Sequence, residues 1–231
     1  MATAVKIRIW STINARRRKM RLHSYVVEHD MGFAPNPFHG VCTLAACKPR
    51  IRKYAKLGEY IIGVGTKKRN LHGKLVYIMK VASIIGFDDY WADKRYLRKR
   101  AVVNGSLVQR YGDNIYHRNP KTNAWIQEHS FHSKAGGIPD PDNLEVDTGT
   151  TDRVLIADWF IYWGGDGPQI PNGFAMFVHE GVGHHCIEDE TLIQDFVAWA
   201  ASSGEPGVRG DPCEWKYARK KKQSSASAKA A

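Results

Sequence analysis

Residues 60–85 read YIIGVGTKKRNLHGKLVYIMKVASII, and this stretch decides the fold. Tyr60–Val64 is a short apolar run, and Lys74–Ile85 is a longer one rich in β-branched side chains. Between them Gly65–Gly73 is a basic loop bounded by glycine. Two such runs joined by a glycine-bounded loop predict a hairpin rather than a helix pair.

Working outward on the N-terminal side, Gly58 ends a stretch, Pro49–Leu57, with helical spacing of Ile51, Tyr54, Ala55 and Leu57 and with proline at its first turn. Val41–Cys47 is apolar, rich in Cys and Ala, and compatible with a short helix. Gly32, Pro35, Pro37 and Gly40 make residues 31–40 a loop, and His23–His29 reads as the first strand. On the C-terminal side, Phe87–Arg100 alternates aromatics, acids and bases. Leu107–His117 and Trp125–His132 read as short strands flanking a turn at Asn119–Asn123, and 134–150 as a Gly-, Pro- and Asp-rich loop. Arg153–Ile156 and Trp159–Trp163 read as strands, and Glu180–Cys186 is rich in Gly and His. Glu190–Ala201 carries Leu192, Ile193, Phe196 and Val197 at the spacing of an amphipathic helix. The expected architecture is one α+β domain with a curved, mostly antiparallel sheet and a few short helices.

The chain has 231 residues and a net charge of +11. That charge sits at the ends. Residues 1–23 and 216–231 hold 13 basic residues and no acid, while 24–215 holds 21 basic against 23 acidic residues. The expected division is therefore a basic extension at 1–23, a domain at 24–203, and a loop with a disordered basic tail at 204–231. Basic tails hold nucleic acid loosely by counterion release, or simply keep a protein solvated. No run reaches the roughly 18 apolar residues of a membrane span, and the N-terminus lacks an apolar signal-type segment, so a cytoplasmic protein without a membrane partner is expected.

Chemistry-bearing residues fall into clusters. Asp30, at the end of a strand, suits a general base, with Asn36 and Phe38 on the loop beyond it as substrate contacts. His39 and Cys42, three residues apart, suit an acid–base residue and a thiol nucleophile. Cys42 and Cys47 in an Ala-rich segment also fit plain packing. GDNIYHR (112–118) supplies Asp113, Asn114, Tyr116 and His117, and SFHS (130–133) supplies Ser130 and His132. These offer donors, acceptors and ring faces for a nucleobase, and His117 and His132 approach one another if their strands pair. Trp91, Arg95 and Arg100, with Arg50, suit phosphate contact and stacking. His184 and His185 are adjacent and point to opposite faces of an extended chain, so no metal site is expected there. No CxxC pair is present, and no motif names a cofactor.

Taken together, YVVEHDMGFAPNPFHGVCTLAACKPRIRKYAKLGEYIIGVG (25–65), GKLVYIMKV (73–81), FDDYWADKRYLRKR (87–100), GDNIYHR, SFHS, VLIADWFIYWG (154–164) and GVGHHC (181–186) resemble the nucleotide modification associated domain of type 2, a family of phage and prokaryotic proteins. The resemblance implies a role in handling hypermodified bases of DNA or nucleotides alongside other base-modification enzymes, with no fixed catalytic residues to carry over. A weaker likeness, at the level of fold, is to PUA- or EVE-like barrels that read modified bases. Three functions follow as expectations. One is a protein that binds a base or nucleotide in an aromatic pocket lined by His, Asp and Asn, with DNA or a free nucleotide as partner. Another is a non-catalytic reader of modified DNA, and the third a cysteine-dependent transferase or hydrolase.

Overall fold

The structure, a computed structural model, describes residues 19–216 except 180 and 182. Among the described residues eleven strands form in chain order: β1 (Leu22–Val27), β2 (Cys42–Leu44), β3 (Tyr60–Gly65), β4 (Leu75–Lys80), β5 (Ser83–Ile85), β6 (Tyr116–Arg118), β7 (Trp125–Gln127), β8 (Val154–Ala157), β9 (Trp159–Tyr162), β10 (His185–Ile187) and β11 (Gly207–Val208). The α-helices are α1 (Pro49–Tyr54), α2 (Phe87–Ala92), α3 (Leu107–Arg110), α4 (Pro141–Thr148) and α5 (Glu190–Ser202).

The expected hairpin is the centre of a six-stranded sheet ordered β10-β1-β3-β4-β9-β11. Its β3 and β4 pair antiparallel with a register shift at Gly63/Val64, whereas β1 and β3 run parallel because α1 returns the chain between them. Alternation along β9 sends Phe160 and Tyr162 to one face and Ile161 to the other. On the second face α5 lays down Ile193, Phe196 and Ala200, and Phe177 stacks on Phe196 at 4.2 Å between centroids.

The first face is covered by a second sheet, β2-β8-β5. The long strand expected over 74–85 breaks at Val81–Ala82, and its partner breaks at Asp158. Across that double break β4 still pairs with β9 while β5 pairs with β8, and the Ala82 amide donates to the Ile156 carbonyl at 2.9 Å. One antiparallel ribbon thus leaves the large sheet to found the small one, which gives the expected curvature. The two sheets remain separate hydrogen-bonded layers. Class and architecture are the single α+β domain, mostly antiparallel, that the sequence implies.

Several local expectations change. Val41–Cys47 holds strand β2, not a helix; its partner β8 overrides the helical preference of Ala. Leu107–His117 is a helical turn, α3, followed by β6. The loop expected at 134–150 contains α4, started by the Asp140 carboxylate accepting from the Asp142 amide. Helix α1 stops at Tyr54, where Arg21 takes the carbonyl of Tyr54, and Arg153 those of Lys53 and Ala55. The domain also reaches beyond residues 24–203. Leu22 and His23 are buried in β1, Lys19 and Arg21 pair with Glu188 and Glu59, and Trp215 is buried against Phe38. Residues 1–18 and 217–231, which carry most of the basic charge of the ends, lie outside the described residues.

A buried polar network ties the loop after β1 to the segment before β6. The ammonium of Lys99 donates to the Asn36 carbonyl and Oδ1, the Val41 carbonyl and Thr43 Oγ1, all at 2.9–3.0 Å. Thr43 Oγ1 donates to Asp113 Oδ2 at 2.5 Å, and the Tyr90 hydroxyl donates to Asp113 Oδ1 at 2.8 Å. Both charged groups are fully buried. Burial lowers the Lys99 pKa and raises that of Asp113, and each partner's charge opposes the shift. Asp113→Ala leaves the ammonium buried without its countercharge. Urea unfolding is expected to show a loss of about 3–5 kcal/mol for this variant.

Candidate functional site

Strand β6 presents the two halves of the site on opposite faces, because Tyr116 and His117 are successive strand residues. It pairs with β7 as expected, Tyr116 opposite Gln127 and Arg118 opposite Trp125. The pairing does not bring His117 and His132 together. His117 faces outward, stacked on Trp91 at 4.2 Å and bonded to Glu128 at 2.9 Å. His132 lies on the inner side, near the hydroxyl of Tyr116.

On the outer face Arg100 sits 3.5 Å from the Trp91 ring centre. That contact and the His117 stack cannot share one face of the indole, so Trp91 is sandwiched and Arg100 forms the outer layer. Arg100 lies opposite Asn114 in an isolated parallel bridge. Both line a cavity of about 380 Å³ with Trp91, Glu128 and His129. This is within the roughly 300–1,000 Å³ of small-molecule sites. The Asn114 amide nitrogen donates to the carbonyls of Tyr90 at 2.9 Å and Tyr96 at 3.3 Å, which fixes the orientation of the amide. Its Oδ1 and the Arg100 Nε are buried and have no hydrogen-bond partner among the described residues. The side chains thus leave one acceptor and one donor unmatched beside a planar cation. A second hollow of about 260 Å³ adjoins through Val103 and His129, with Tyr111, Ser130 and Phe131 along it. Ser130 Oγ is likewise buried without a partner among the described residues.

On the inner face the Asp147 carboxylate is fully buried. Its Oδ1 accepts from the Cys47 amide at 2.6 Å, and its Oδ2 accepts from the Tyr116 hydroxyl and from His132 Nδ1, both at 2.8 Å. His132 Nε2 lies 3.7 Å from Cys47 Sγ. Burial alone would lower the His132 pKa; the hydrogen bonds to Asp147 and Cys47 and their charges outweigh it and hold it at about 9. Neither Cys47 nor Asp147 stands out in the sequence: they are 100 residues apart, and only tertiary packing joins them.

Of the residues singled out from sequence, Trp91, Arg100, Asn114 and His117 converge on the outer face, and Ser130 lines the adjoining hollow. Tyr116 and His132 belong to the inner face. Asn36 and Asp113 do meet, through Thr43 and Lys99, but as a packed joint rather than as two walls of a pocket. Cys42 is fully buried in the core, where burial pushes its thiol up to about 12, the opposite of an activated nucleophile. His39 is on the loop with φ 65°, its pKa lowered by burial and by Arg98 and Lys99. Phe38 stacks on Trp215. Arg95 is an exposed fork on Asp93, and Arg50 is exposed on α1. No group of three or more His, Cys, Asp or Glu suited to a metal occurs among the described residues, and no helix there is long and apolar enough to cross a membrane.

The model of nucleotide modification associated domain 2 matches residues 19–219. The chain belongs to this family. Its association with nucleotide modification therefore rests on nearly all of the folded part, from Lys19 to past Trp215. No curated protein and no solved structure matches the chain.

Asp30 is a structural anchor in this fold. It is buried, accepts from the Tyr162 hydroxyl and from the Cys213 amide at 3.0 Å, and so holds the segment at 211–215. Burial raises its pKa to about 6, against the opposing pull of these hydrogen bonds. A carboxyl group raised in the folded state favours folding below its unfolded pKa, and this contribution is lost as pH rises through the folded value. Relative to Asp30→Asn, the wild type is expected to lose about 2 kcal/mol between pH 4 and pH 7 in urea titrations. A constant difference between the two proteins across that range would show that Asp30 is not so placed.

Proposed function

We propose that this protein handles nucleotides by taking a nucleobase into the outer groove of the β6–β7 hairpin, with the base stacked on the outer face of the Arg100 guanidinium. The observation that carries the reading is the Arg100 guanidinium, 3.5 Å from the Trp91 ring centre, in the wall of a cavity of about 380 Å³ that Asn114 and His129 also line. Guanidinium planes and aromatic rings serve as stacking platforms for unpaired bases. Tyr111 and Phe131, lining the adjoining hollow, extend the surface for a neighbouring nucleotide. Membership of the nucleotide modification family supports the same ligand class. The acceptor chain is DNA or a free nucleotide, and the aromatic pocket is lined by Arg, Asn and His rather than by Asp30 and Asp113.

Isothermal calorimetry with the four deoxynucleoside monophosphates and with a short single-stranded oligonucleotide tests this reading. At least one is expected to bind. Arg100→Ala is expected to weaken that binding by about 5- to 150-fold, the equivalent of 1–3 kcal/mol of stacking per base. Arg100→Lys keeps the charge but not the plane and should not restore it. Wild-type affinity in both variants, with circular dichroism showing both folded, would rule the groove out.

A further inference from the structure

We propose that Cys47, His132 and Asp147 form a second, catalytic centre: a thiol nucleophile for acyl transfer, on the opposite face of β6 from the base groove. Three independent features meet there. The order is that of a nucleophile, a base and an orienting acid, with Cys47 Sγ 3.7 Å from His132 Nε2 and His132 Nδ1 2.8 Å from Asp147 Oδ2. The carboxylate does not merely touch the ring. It also takes the Cys47 amide, so that one group fixes both the backbone of the nucleophile and the tautomer of the base. Finally, Cys47 and Lys48 both have positive φ, 55° and 43°, although neither is glycine. Left-handed backbone at such residues is strained, and it persists where the surroundings over-determine it, as at functional sites.

Those surroundings are explicit. Arg52, fully buried, donates from Nε to the Cys47 carbonyl at 2.8 Å and also takes the Asp147 carbonyl. The Tyr116 hydroxyl donates to Asp147, and Phe33 packs on the His132 ring at 4.6 Å. Cys47 itself is only half-buried. The next residue, Lys48, lines a cavity of about 330 Å³ with Val26, Glu28, Gly65 and Thr66, at the C-terminal ends of the parallel strands β1 and β3.

The step balances with water as the only co-reactant. His132 takes the thiol proton, and the thiolate attacks the carbonyl carbon of an ester or amide to form a C–S bond. The C–O or C–N bond then breaks, and the leaving alcohol or amine departs with the proton from His132. Water, deprotonated by the same ring, attacks the thioester; the carboxylic acid leaves, and the proton returns to sulfur. A thiol–disulfide role would require a second cysteine against Cys47; Cys42 is sealed in the core, Cys186 is exposed on β10, and Cys213 sits in the segment held by Asp30.

The groups that set the charge of His132 are Asp147 on α4, Cys47 before α1 and Tyr116 on β6, with the Arg52 guanidinium behind Asp147. The experiment follows from them. The full chain is alkylated with iodoacetamide from pH 5 to pH 9, and modification of each cysteine is read by mass spectrometry of its peptide. Cys47 is expected to react about tenfold faster than exposed Cys186, because the His132 ring takes its proton. His132→Asn should remove that advantage. With p-nitrophenyl acetate the wild type should release a burst of nitrophenol and carry an acetyl group on the Cys47 peptide. Cys47→Ser should show neither. Cys47 reacting no faster than Cys186 in the wild type, or acetylation spread over lysines with none on Cys47, would overturn the proposal. Neither result depends on a variant folding, and neither bears on nucleotide binding at Arg100.

Discussion

The buried ammonium of Lys99 is the contact on which the rest of the architecture depends. Four oxygens from residues 36–43 surround it, and Thr43 passes the charge on to Asp113. No single element supplies this joint: the loop after β1, strand β2, helix α2 through Tyr90, and the segment leading into β6 all contribute a polar group. Removing Asp113 leaves the buried ammonium without its countercharge. The neighbours of this joint in sequence, Arg100 and Asn114, both line the outer cavity. The network is thus the frame that holds two walls of the outer cavity, one residue away on each side.

Strand β6 then divides the chemistry. Its alternation sends Tyr116 inward to Asp147 and His132 and sends His117 outward to Trp91. Three residues therefore serve two environments: an inner one that is dense, hydrogen-bonded and built around a carboxylate, and an outer one that is open and cationic. Arg118, the last residue of the strand, lies over Trp125 at 3.9 Å and pairs with Asp88 and Asp152, which fastens the short hairpin to α2 and to the start of β8. Without that clamp a two-stranded ribbon of this length would be marginal by itself.

What could be read from sequence followed from local periodicity. The central hairpin and α5 announce themselves through apolar runs bounded by glycine and through a 3.6-residue repeat, and both are present. Strand β2 does not, because Cys-Thr-Leu-Ala-Ala has helical composition and only its place beside β8 makes it extended. Helix α4 is masked by its polarity, and its one sequence signal is the start, Asp140 followed by Pro141. The outer site was partly legible, since Trp91, Arg100, Asn114 and His117 carry stacking and hydrogen-bonding groups wherever they fold. The thiol centre was not. Cys42 and His39 are close in sequence yet separated by burial, whereas Cys47, His132 and Asp147 are distant in sequence and joined by packing. Spacing along the chain is a poor guide to a constellation assembled from a loop, a turn and a helix.

Whether the outer face of the β6–β7 hairpin receives a base is decided by photo-crosslinking: a short single-stranded oligonucleotide carrying 5-iodouracil is irradiated with the full chain, and the attached peptides are mapped by mass spectrometry. Crosslinks are expected at Trp91, Tyr111, His129 or Phe131, around the Arg100–Asn114 cavity. Crosslinks confined to the basic ends or to the 66–72 turn, with none on this face, would contradict it.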